Sequence, residues 1–161
     1  MKEELQQVSI NNQGVFVFTH NTTSMDLIEH VLSQTGPAEL FVSSFSITEP
    51  AVRHFINLLE DKLITNLSCL FDNQVKMHHL QTLFFMSNYI NDIYLTANHS
   101  KVILIKNPNF KISILSSANL NLNNKVEAGS IFNDPVIFDN LFSRYTDILN
   151  QSVKINRDDI I

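Results

Sequence analysis

Short apolar runs alternate with helix-like segments along most of the chain, and this alternation predicts the secondary structure. Apolar residues repeated at every second position predict strands, because successive strand side chains point to opposite faces of a sheet. We predict six strands, over residues 14–19, 39–47, 66–71, 92–96, 101–105 and 111–115. The turn signal Asn107-Pro108-Asn109 joins the last two strands into a hairpin.

Four further segments have apolar residues at the three- and four-residue spacing of a helix. Thr23 and Thr48 have hydroxyl groups suited to capping the first two helices, and Asp26 occupies the capping-box position after Thr23. The third helix is predicted over residues 74–90. Asp134 and the proline after it open the last helix. Its inward-facing residues are predicted to be Val136, Ile137, Leu141, Phe142 and Tyr145.

The length and composition predict one α/β domain over residues 1–161. A chain of 161 residues has about the size of a single domain, and its 44% apolar content is enough for a hydrophobic core. Only three Gly and four Pro argue against a linker or a disordered segment. We expect the core to span about residues 14–150, and residues 151–161 to form a polar C-terminal tail.

The net charge limits which partners the protein could bind, and the single cysteine indicates the cellular compartment in which it works. A formal charge of −5 argues against long duplex DNA, because duplex-binding proteins draw most of their affinity from cationic surfaces. No segment reaches transmembrane length, and the first residues are too polar for a signal peptide. Cys69 cannot form an internal disulfide and is expected to be a buried structural thiol. We therefore expect a soluble, cytoplasmic protein without a membrane interaction.

Five polar residues around the predicted hairpin form a candidate catalytic set. His99 and Lys101 are two positions apart, so their side chains share one face of a strand, and Ser117 and Asn119 repeat that spacing on the return strand. Glu127 follows shortly afterwards. Imidazole, ammonium, hydroxyl, amide and carboxylate groups provide what phosphodiester cleavage needs: a nucleophile, charge stabilisation, and a partner that orients the nucleophile.

These residues resemble the H-x-K…G-S-x-N…E pattern of the phospholipase D superfamily, and most closely its small single-motif nucleases. The likeness runs from about Glu39 to the final helix, because the order of strands and helices also fits. The resemblance implies a mixed β-sheet flanked by α-helices. It also implies a homodimer, in which two copies of the motif meet at a two-fold axis.

The resemblance further implies a phosphodiesterase that needs no metal and no other cofactor. His99 would attack phosphorus to form a phosphohistidine, and His99 of the partner subunit would protonate the leaving oxygen and later activate water. Lys101, Ser117 and Asn119 would bind the phosphoryl oxygens, and Glu127 would brace a His99 ring. The substrate would be a nucleic-acid strand or another phosphodiester, and the acidic charge favours single-stranded or small substrates.

Two positions depart from the family pattern and favour an alternative function. The family's Asp after the motif lysine is Lys106 here, and strand parity points it away from His99. The family's Gly before the serine is Ser116, which restricts close backbone approach. The alternative is a degenerate, non-catalytic dimeric module that binds phosphate or a partner protein. A lipid phosphodiesterase is a weaker alternative, because the chain has no amphipathic membrane-surface helix.

Several other polar residues have a structural interpretation. Ser and Asn after a strand are usually turn residues, so an alternative interpretation of Ser117 and Asn119 is that they only form a turn. Ser43 and Ser44 interrupt an apolar strand, and we interpret them as packing residues with local hydrogen bonds. A position lining the cleft beside His99 is the alternative for that pair. His78 and His79 are adjacent in sequence and point in different directions, which argues against a metal site.

Overall fold

The computed structural model describes residues 2–19, 21–122 and 125–160, which form one eight-stranded sheet with five α-helices. The strands are β1 (Gly14–Phe18), β2 (Ala38–Ser44), β3 (Ile64–Asp72), β4 (Asp92–Thr96), β5 (Val102–Lys106), β6 (Lys111–Ser116), β7 (Glu127–Asn133) and β8 (Val153–Lys154). The helices are α1 (Ser24–Thr35), α2 (Glu49–Glu60), α3 (Gln74–His78), α4 (Leu80–Ser87) and α5 (Pro135–Gln151). Short 3-10 helices span Glu3–Gln7 and Arg157–Asp159.

The sheet is mixed, as the resemblance implies. Its strand order is β1-β7-β6-β5-β2-β3-β4-β8. Strand β3 runs parallel to both β2 and β4, whereas β5 pairs antiparallel with β2 and with β6. The predicted hairpin is therefore confirmed, with Asn107 accepting hydrogen bonds from two later backbone amides in its turn. The predicted α/β fold class is also confirmed.

Strand alternation divides the core between the two faces of the sheet. In β5, Ile103 and Ile105 join the large cluster that α1, α2 and α4 cover. Val102 and Leu104 point the other way, into a smaller cluster with Phe138 and Tyr145 of α5 and Phe41 of β2. Even-numbered and odd-numbered residues of β5 thus face different layers of helices.

Strand β7 was not predicted, and Glu127 is its first residue. Its sequence, Glu-Ala-Gly-Ser-Ile-Phe-Asn, lacks a regular alternation of large apolar side chains, because it lies near the edge of the sheet and is only partly covered. It pairs antiparallel with both β1 and β6. Pairing with β6 fixes Glu127 beside the end of the hairpin, which the sequence placed only as a later residue.

The limits of the core differ from the prediction at both ends. Leu5, Val8 and Ile10 belong to the large core cluster, so the core begins before residue 14. The expected polar tail is also wrong: Val153–Lys154 forms β8 against β4, and Ile155 is 3% exposed. A two-residue strand is too short to produce a pattern, so tertiary packing alone reveals it.

Two predicted helices need correction. The segment 74–90 forms α3 and α4 with a break at His79, whose φ of −132° is not helical. Backbone hydrogen bonds from His79 to Val75 and from Leu83 to His79 cross the break, which explains the continuous periodicity. In α5, Phe138 and Tyr145 are the buried residues. The predicted inward positions of Val136 and Phe142 are wrong, since these side chains are 69% and 38% exposed.

The cap of α1 is confirmed, and that of α2 is not. Asp26 N donates to Thr23 Oγ1 at 3.2 Å, and Thr23 N donates to the Asp26 carboxylate at 2.7 Å, so both halves of the box form. Thr48 begins α2 but makes no side-chain cap. Lys2 also donates to Asp26 at 2.7 Å. Burial raises the pKa of Asp26, but the hydrogen bonds from Lys2 and Thr23 outweigh it, and the net pKa is lowered.

We expect Asp26→Asn to lower the free energy of unfolding by about 1 kcal/mol at pH 7. Because the folded-state pKa is depressed, this contribution is present above the unfolded pKa of about 4 and is lost as pH falls through the folded pKa. Urea titrations at pH 7 and at pH 3 measure the difference. The control is Asp147→Asn, which changes an exposed carboxylate of α5. An equal loss of stability at both pH values would contradict the prediction.

Candidate functional site

His99 and Lys101 lie immediately before β5, on one side of the chain. The Lys101 ammonium is 3.2 Å from His99 Nδ1 and donates to the His99 carbonyl oxygen at 2.8 Å. Both residues were predicted to lie in a strand but precede it, although Ser116 N donates to the Lys101 carbonyl and continues the ladder by one residue. His99 is exposed, so its imidazole is accessible to a substrate.

Ser117 and Glu127 form a hydrogen-bonded pair where β6 ends and β7 begins. The Ser117 hydroxyl donates to the Glu127 carboxylate, and Ala128 N donates to Ser117 Oγ at 3.0 Å. Ser117 N in turn donates to the Ala128 carbonyl at 2.9 Å. Glu127 is 9% exposed, whereas Ser117 is exposed. The buried Glu127 carboxylate is therefore hydrogen-bonded to the hydroxyl of a serine that is exposed to solvent.

Asn119 is fixed by the loop that follows β2. Its Oδ1 accepts from Phe45 N at 3.2 Å and lies 3.3 Å from the Ser44 hydroxyl, which also donates to the Ser46 carbonyl at 2.7 Å. Leu120 N donates to the same Ser44 hydroxyl at 3.1 Å. With its oxygen engaged on the protein side, the Asn119 amide offers its nitrogen as the donor for a ligand. Ser117 and Asn119 follow the return strand instead of lying within it, so the structure corrects that placement.

An electrostatic interaction links Lys101, which precedes β5, to Glu127 at the start of β7. Partial burial lowers the pKa of the Lys101 ammonium below its ordinary value, and the Glu127 carboxylate opposes the shift. Lys101 is thus close enough to Glu127 for their charges to interact, while it also contacts His99. A cation with reduced access to water interacts more strongly with an anion than one in bulk solvent does. This arrangement suits the binding of a phosphoryl group.

Phe45 is a further residue of the site, and it is absent from the set predicted from the sequence. Its ring centroid is 5.1 Å from that of His99, with an angle of 53° between the rings, and Lys101 Nζ lies 6.0 Å from its centroid. The only signal was its position, since it follows β2 directly and is flanked by serines in an otherwise apolar run. Together, Phe45 and Asn119 connect the loop after β2 to the hairpin residues.

Lys106 and Ser116 have different surroundings from the five predicted site residues. Lys106 forms an ion pair with Glu39 at 3.1 Å and lies 4.7 Å from the ring centroid of Phe142, against α5. The parity argument is therefore confirmed: Lys106 faces away from His99. Ser116 pairs with Gly129 in the sheet, and its hydroxyl accepts from Ala118 N at 3.1 Å, so the extra side chain is accommodated.

Within residues 2–19, 21–122 and 125–160, no group of three or more His, Cys, Asp or Glu side chains is arranged to hold a metal ion. In the same part of the chain, no helix is long and apolar enough to cross a membrane. Cys69 is buried with a free thiol, and burial raises its pKa. The predicted structural role of this cysteine agrees with its position in β3.

No protein-family model and no curated protein matches the sequence. Among solved structures, Nuc from Salmonella typhimurium, a phospholipase D family member, matches with a TM-score of 0.63 at 18% identity, over 90% of this chain and 99% of that chain. Polyphosphate kinase from Porphyromonas gingivalis matches with a TM-score of 0.67 at 15% identity, over 96% of this chain and 29% of the kinase.

A third solved structure with the same fold is a DNA-binding protein. TrmBL2, an archaeal chromatin protein, matches with a TM-score of 0.61 at 8% identity, over 94% of this chain and 57% of TrmBL2. At these low identities the matches show the fold alone. The mixed sheet flanked by helices, expected from the H-x-K…S-x-N…E resemblance, is thereby confirmed, and this chain has the fold of a phospholipase D family member.

Proposed function

We propose that the protein is a metal-independent phosphodiesterase of the phospholipase D type, a nuclease that acts as a homodimer. The observation that carries the proposal is the exposed His99 imidazole, 3.2 Å from the Lys101 ammonium, beside the hydrogen-bonded pair of Ser117 and Glu127, whose carboxylate charge acts on Lys101. A nucleophile, a cation and hydrogen-bond donors at the ends of neighbouring strands are the groups that phosphoryl transfer needs.

The first chemical step forms a phosphohistidine. An imidazole nitrogen of His99 attacks phosphorus with its lone pair, and the bond from phosphorus to the leaving oxygen breaks. His99 of the partner subunit gives its proton to that oxygen. Lys101 and Asn119 bind the phosphoryl oxygens as negative charge accumulates, and Ser117 joins them when its hydroxyl turns its proton from the Glu127 carboxylate to a phosphoryl oxygen. The phosphoryl oxygens replace His99 Nδ1 as acceptors for the Lys101 ammonium, which leaves the ring free to react.

The second step returns the enzyme to its starting state. Water attacks phosphorus, the phosphorus–nitrogen bond breaks, and His99 of the partner subunit takes the proton of the water. Glu127 braces a His99 ring and so keeps one nitrogen directed at phosphorus. Two imidazoles are required around one phosphorus atom, and each chain has one such motif. The mechanism therefore needs two copies of the chain.

Substrate class follows from charge and from the shape of the site. The net charge of −5 gives no broad cationic track for a duplex, so we propose single-stranded nucleic acid or a small phosphodiester as substrate. Phe45 beside His99 offers an aromatic surface next to the reacting phosphate. We place the reaction in the cytoplasm, where the unpaired Cys69 thiol stays reduced.

A single experiment tests the reaction. Purified protein is incubated with bis(4-nitrophenyl) phosphate and with labelled single-stranded DNA, in the presence and absence of a chelator. We expect turnover that survives chelation and is absent from His99→Asn. Turnover that is equal in both proteins would indicate a contaminant and rule out the mechanism. Light scattering during size exclusion measures the mass separately, and a strictly monomeric active species would exclude the two-imidazole site.

A binding module is the second candidate, and the same fold in the chromatin protein TrmBL2 supports it. Lys106 in place of the family's Asp and Ser116 in place of its Gly also suggest this alternative, although Lys106 pairs with Glu39 and the Ser116 side chain is accommodated in the sheet. Under this alternative the wild type binds single-stranded DNA or inorganic phosphate without turnover. Fluorescence anisotropy with labelled DNA therefore distinguishes it from the enzyme: binding without hydrolysis in the wild type favours the module.

A further inference from the structure

Asn98 and Ser100, the two neighbours of His99 in sequence, form a closed ring of hydrogen bonds with Ser43. Asn98 Nδ2 donates to Ser43 Oγ at 3.0 Å, the Ser43 and Ser100 hydroxyl oxygens are 2.7 Å apart, and Ser100 Oγ donates back to Asn98 Oδ1 at 2.7 Å. Each hydroxyl has one proton to give. The three bonds are satisfied together when Asn98 donates to Ser43, Ser43 to Ser100, and Ser100 to Asn98.

The ring is anchored to the sheet on two sides. Asn98 N donates to Asp72 Oδ2 at 2.9 Å, and Asp72 ends β3. Asn98 Nδ2 lies within hydrogen-bonding distance of the Ser44 carbonyl oxygen at 3.2 Å. Ser100 N donates to Asn98 Oδ1 at 3.1 Å and so closes a turn around His99. These contacts fix the residues on both sides of His99, and Asn98 is 9% exposed.

Tyr145 connects this ring of hydrogen bonds to helix α5. It lies on α5 in the smaller core cluster, and its hydroxyl donates to Ser100 Oγ at 2.9 Å. Its ring packs 4.9 Å from that of Phe41 in the smaller core cluster and is 9% exposed. The Tyr145 hydroxyl is therefore held by a rigid helix and a packed ring, and it reaches the residue between His99 and Lys101.

We propose that Tyr145, Ser100, Ser43 and Asn98 are positioning residues, which hold the backbone of residues 98–101 so that His99 is aligned for attack. The exposed imidazole itself contacts Lys101 and Phe45, and these contacts do not fix its direction alone. Misplacing a nucleophile by about 1 Å can cost about a hundredfold in rate. The inference rests on the proposed phosphodiesterase activity.

Two substitutions test the network, because each removes one hydroxyl. We expect Tyr145→Phe to lower kcat for bis(4-nitrophenyl) phosphate about tenfold, and Ser100→Ala about a hundredfold, with KM nearly unchanged. The double variant should be no slower than Ser100→Ala, because Tyr145 acts through Ser100. Effects that multiply in the double variant, or a rise in KM at unchanged kcat, would overturn the proposal.

Matched controls separate positioning from stability. Ser113→Ala removes another buried hydroxyl, one that has no hydrogen-bond partner within the described part of the chain. Tyr94→Phe removes the hydroxyl of another tyrosine, whose ring packs at the edge of the same core cluster as Tyr145. Both controls should retain wild-type kcat. All assays are made at a temperature where circular dichroism shows every variant folded, so a loss of stability alone leaves kcat unchanged.

A spectroscopic measurement keeps the two proposals distinguishable. The 15N and 13C signals of the His99 ring are followed by NMR in wild type, Tyr145→Phe and Tyr94→Phe. We expect broadened or shifted His99 signals in Tyr145→Phe only. If wild type has no turnover but this change appears, the positioning network stands and the phosphodiesterase fails. Unchanged His99 signals in Tyr145→Phe would refute the network whether or not the protein is an enzyme.

Discussion

Replacing His99 with asparagine is expected to lower the rate of phosphodiester hydrolysis about ten-thousandfold, with little change in stability. Removal of an attacking group has effects of this size in enzymes that form a covalent intermediate. An amide nitrogen has no available lone pair with which to attack phosphorus. Because His99 is exposed, the free energy of unfolding should change by less than about 0.5 kcal/mol. Single-turnover assays with bis(4-nitrophenyl) phosphate measure the loss.

The control is another exposed histidine. His78 ends α3 and is exposed like His99, so His78→Asn repeats the same chemical change away from the hairpin. It should keep wild-type activity. Trapping of the intermediate adds a second readout: wild-type protein quenched at alkaline pH should have a phosphoryl adduct on a His99 peptide by mass spectrometry. Full activity of His99→Asn, or an adduct on a residue other than His99, would contradict the proposed nucleophile.

Most of the hairpin could be predicted from the sequence, because strand periodicity is a local property. The two-residue spacing placed His99 and Lys101 on one side, and the structure confirms a contact between them. The same parity placed Lys106 on the opposite face, where it pairs with Glu39. The prediction for Lys106 succeeded because the direction of a strand side chain depends on its position along the strand, whereas His99 and Lys101 precede β5 and are brought together by the turn before it.

The supporting contacts could not be predicted, because they join residues that are distant in sequence. Asn98 and Ser100 are typical turn residues, and no local pattern indicates a bond to Ser43 or to Tyr145. Ser43 was interpreted as a packing residue with local hydrogen bonds, whereas its hydroxyl lies 2.7 Å from that of Ser100, far away in sequence. Polar residues of this kind acquire a role only when the strands assemble.

The order of the sheet also lies beyond local patterns. Strand β7 was missed because its side chains are unevenly covered, yet it delivers Glu127 to the site. The close fit of β7 to its neighbours depends on Gly129, which sits opposite Ser116 in β6. A glycine inside a strand marks a place where other atoms approach closely. The close packing around Gly129 therefore predicts that a larger residue at this position destabilises the protein.

Replacing Gly129 with alanine is expected to lower the free energy of unfolding by about 3 kcal/mol and to reduce activity. A Cβ at this position would lie 2.4 Å from Phe16 Cζ and 2.5 Å from the Leu115 carbonyl oxygen. Backbone cannot swing away as a flexible side chain can, and Phe16 is packed in the core. Strand β7 must therefore shift, and Glu127 moves with it, away from Ser117.

Gly14→Ala is the matched control for this prediction, because a Cβ on Gly14 meets no atom within 4 Å. Urea titration should show a change of less than about 0.5 kcal/mol for Gly14→Ala. For Gly129→Ala, the melting temperature should fall by about 10 °C, as expected for a domain of this size. Activity is compared well below both melting temperatures, where the displaced Glu127 should still lower kcat. Wild-type stability in Gly129→Ala would show that β6 and β7 are not packed as closely as these distances require.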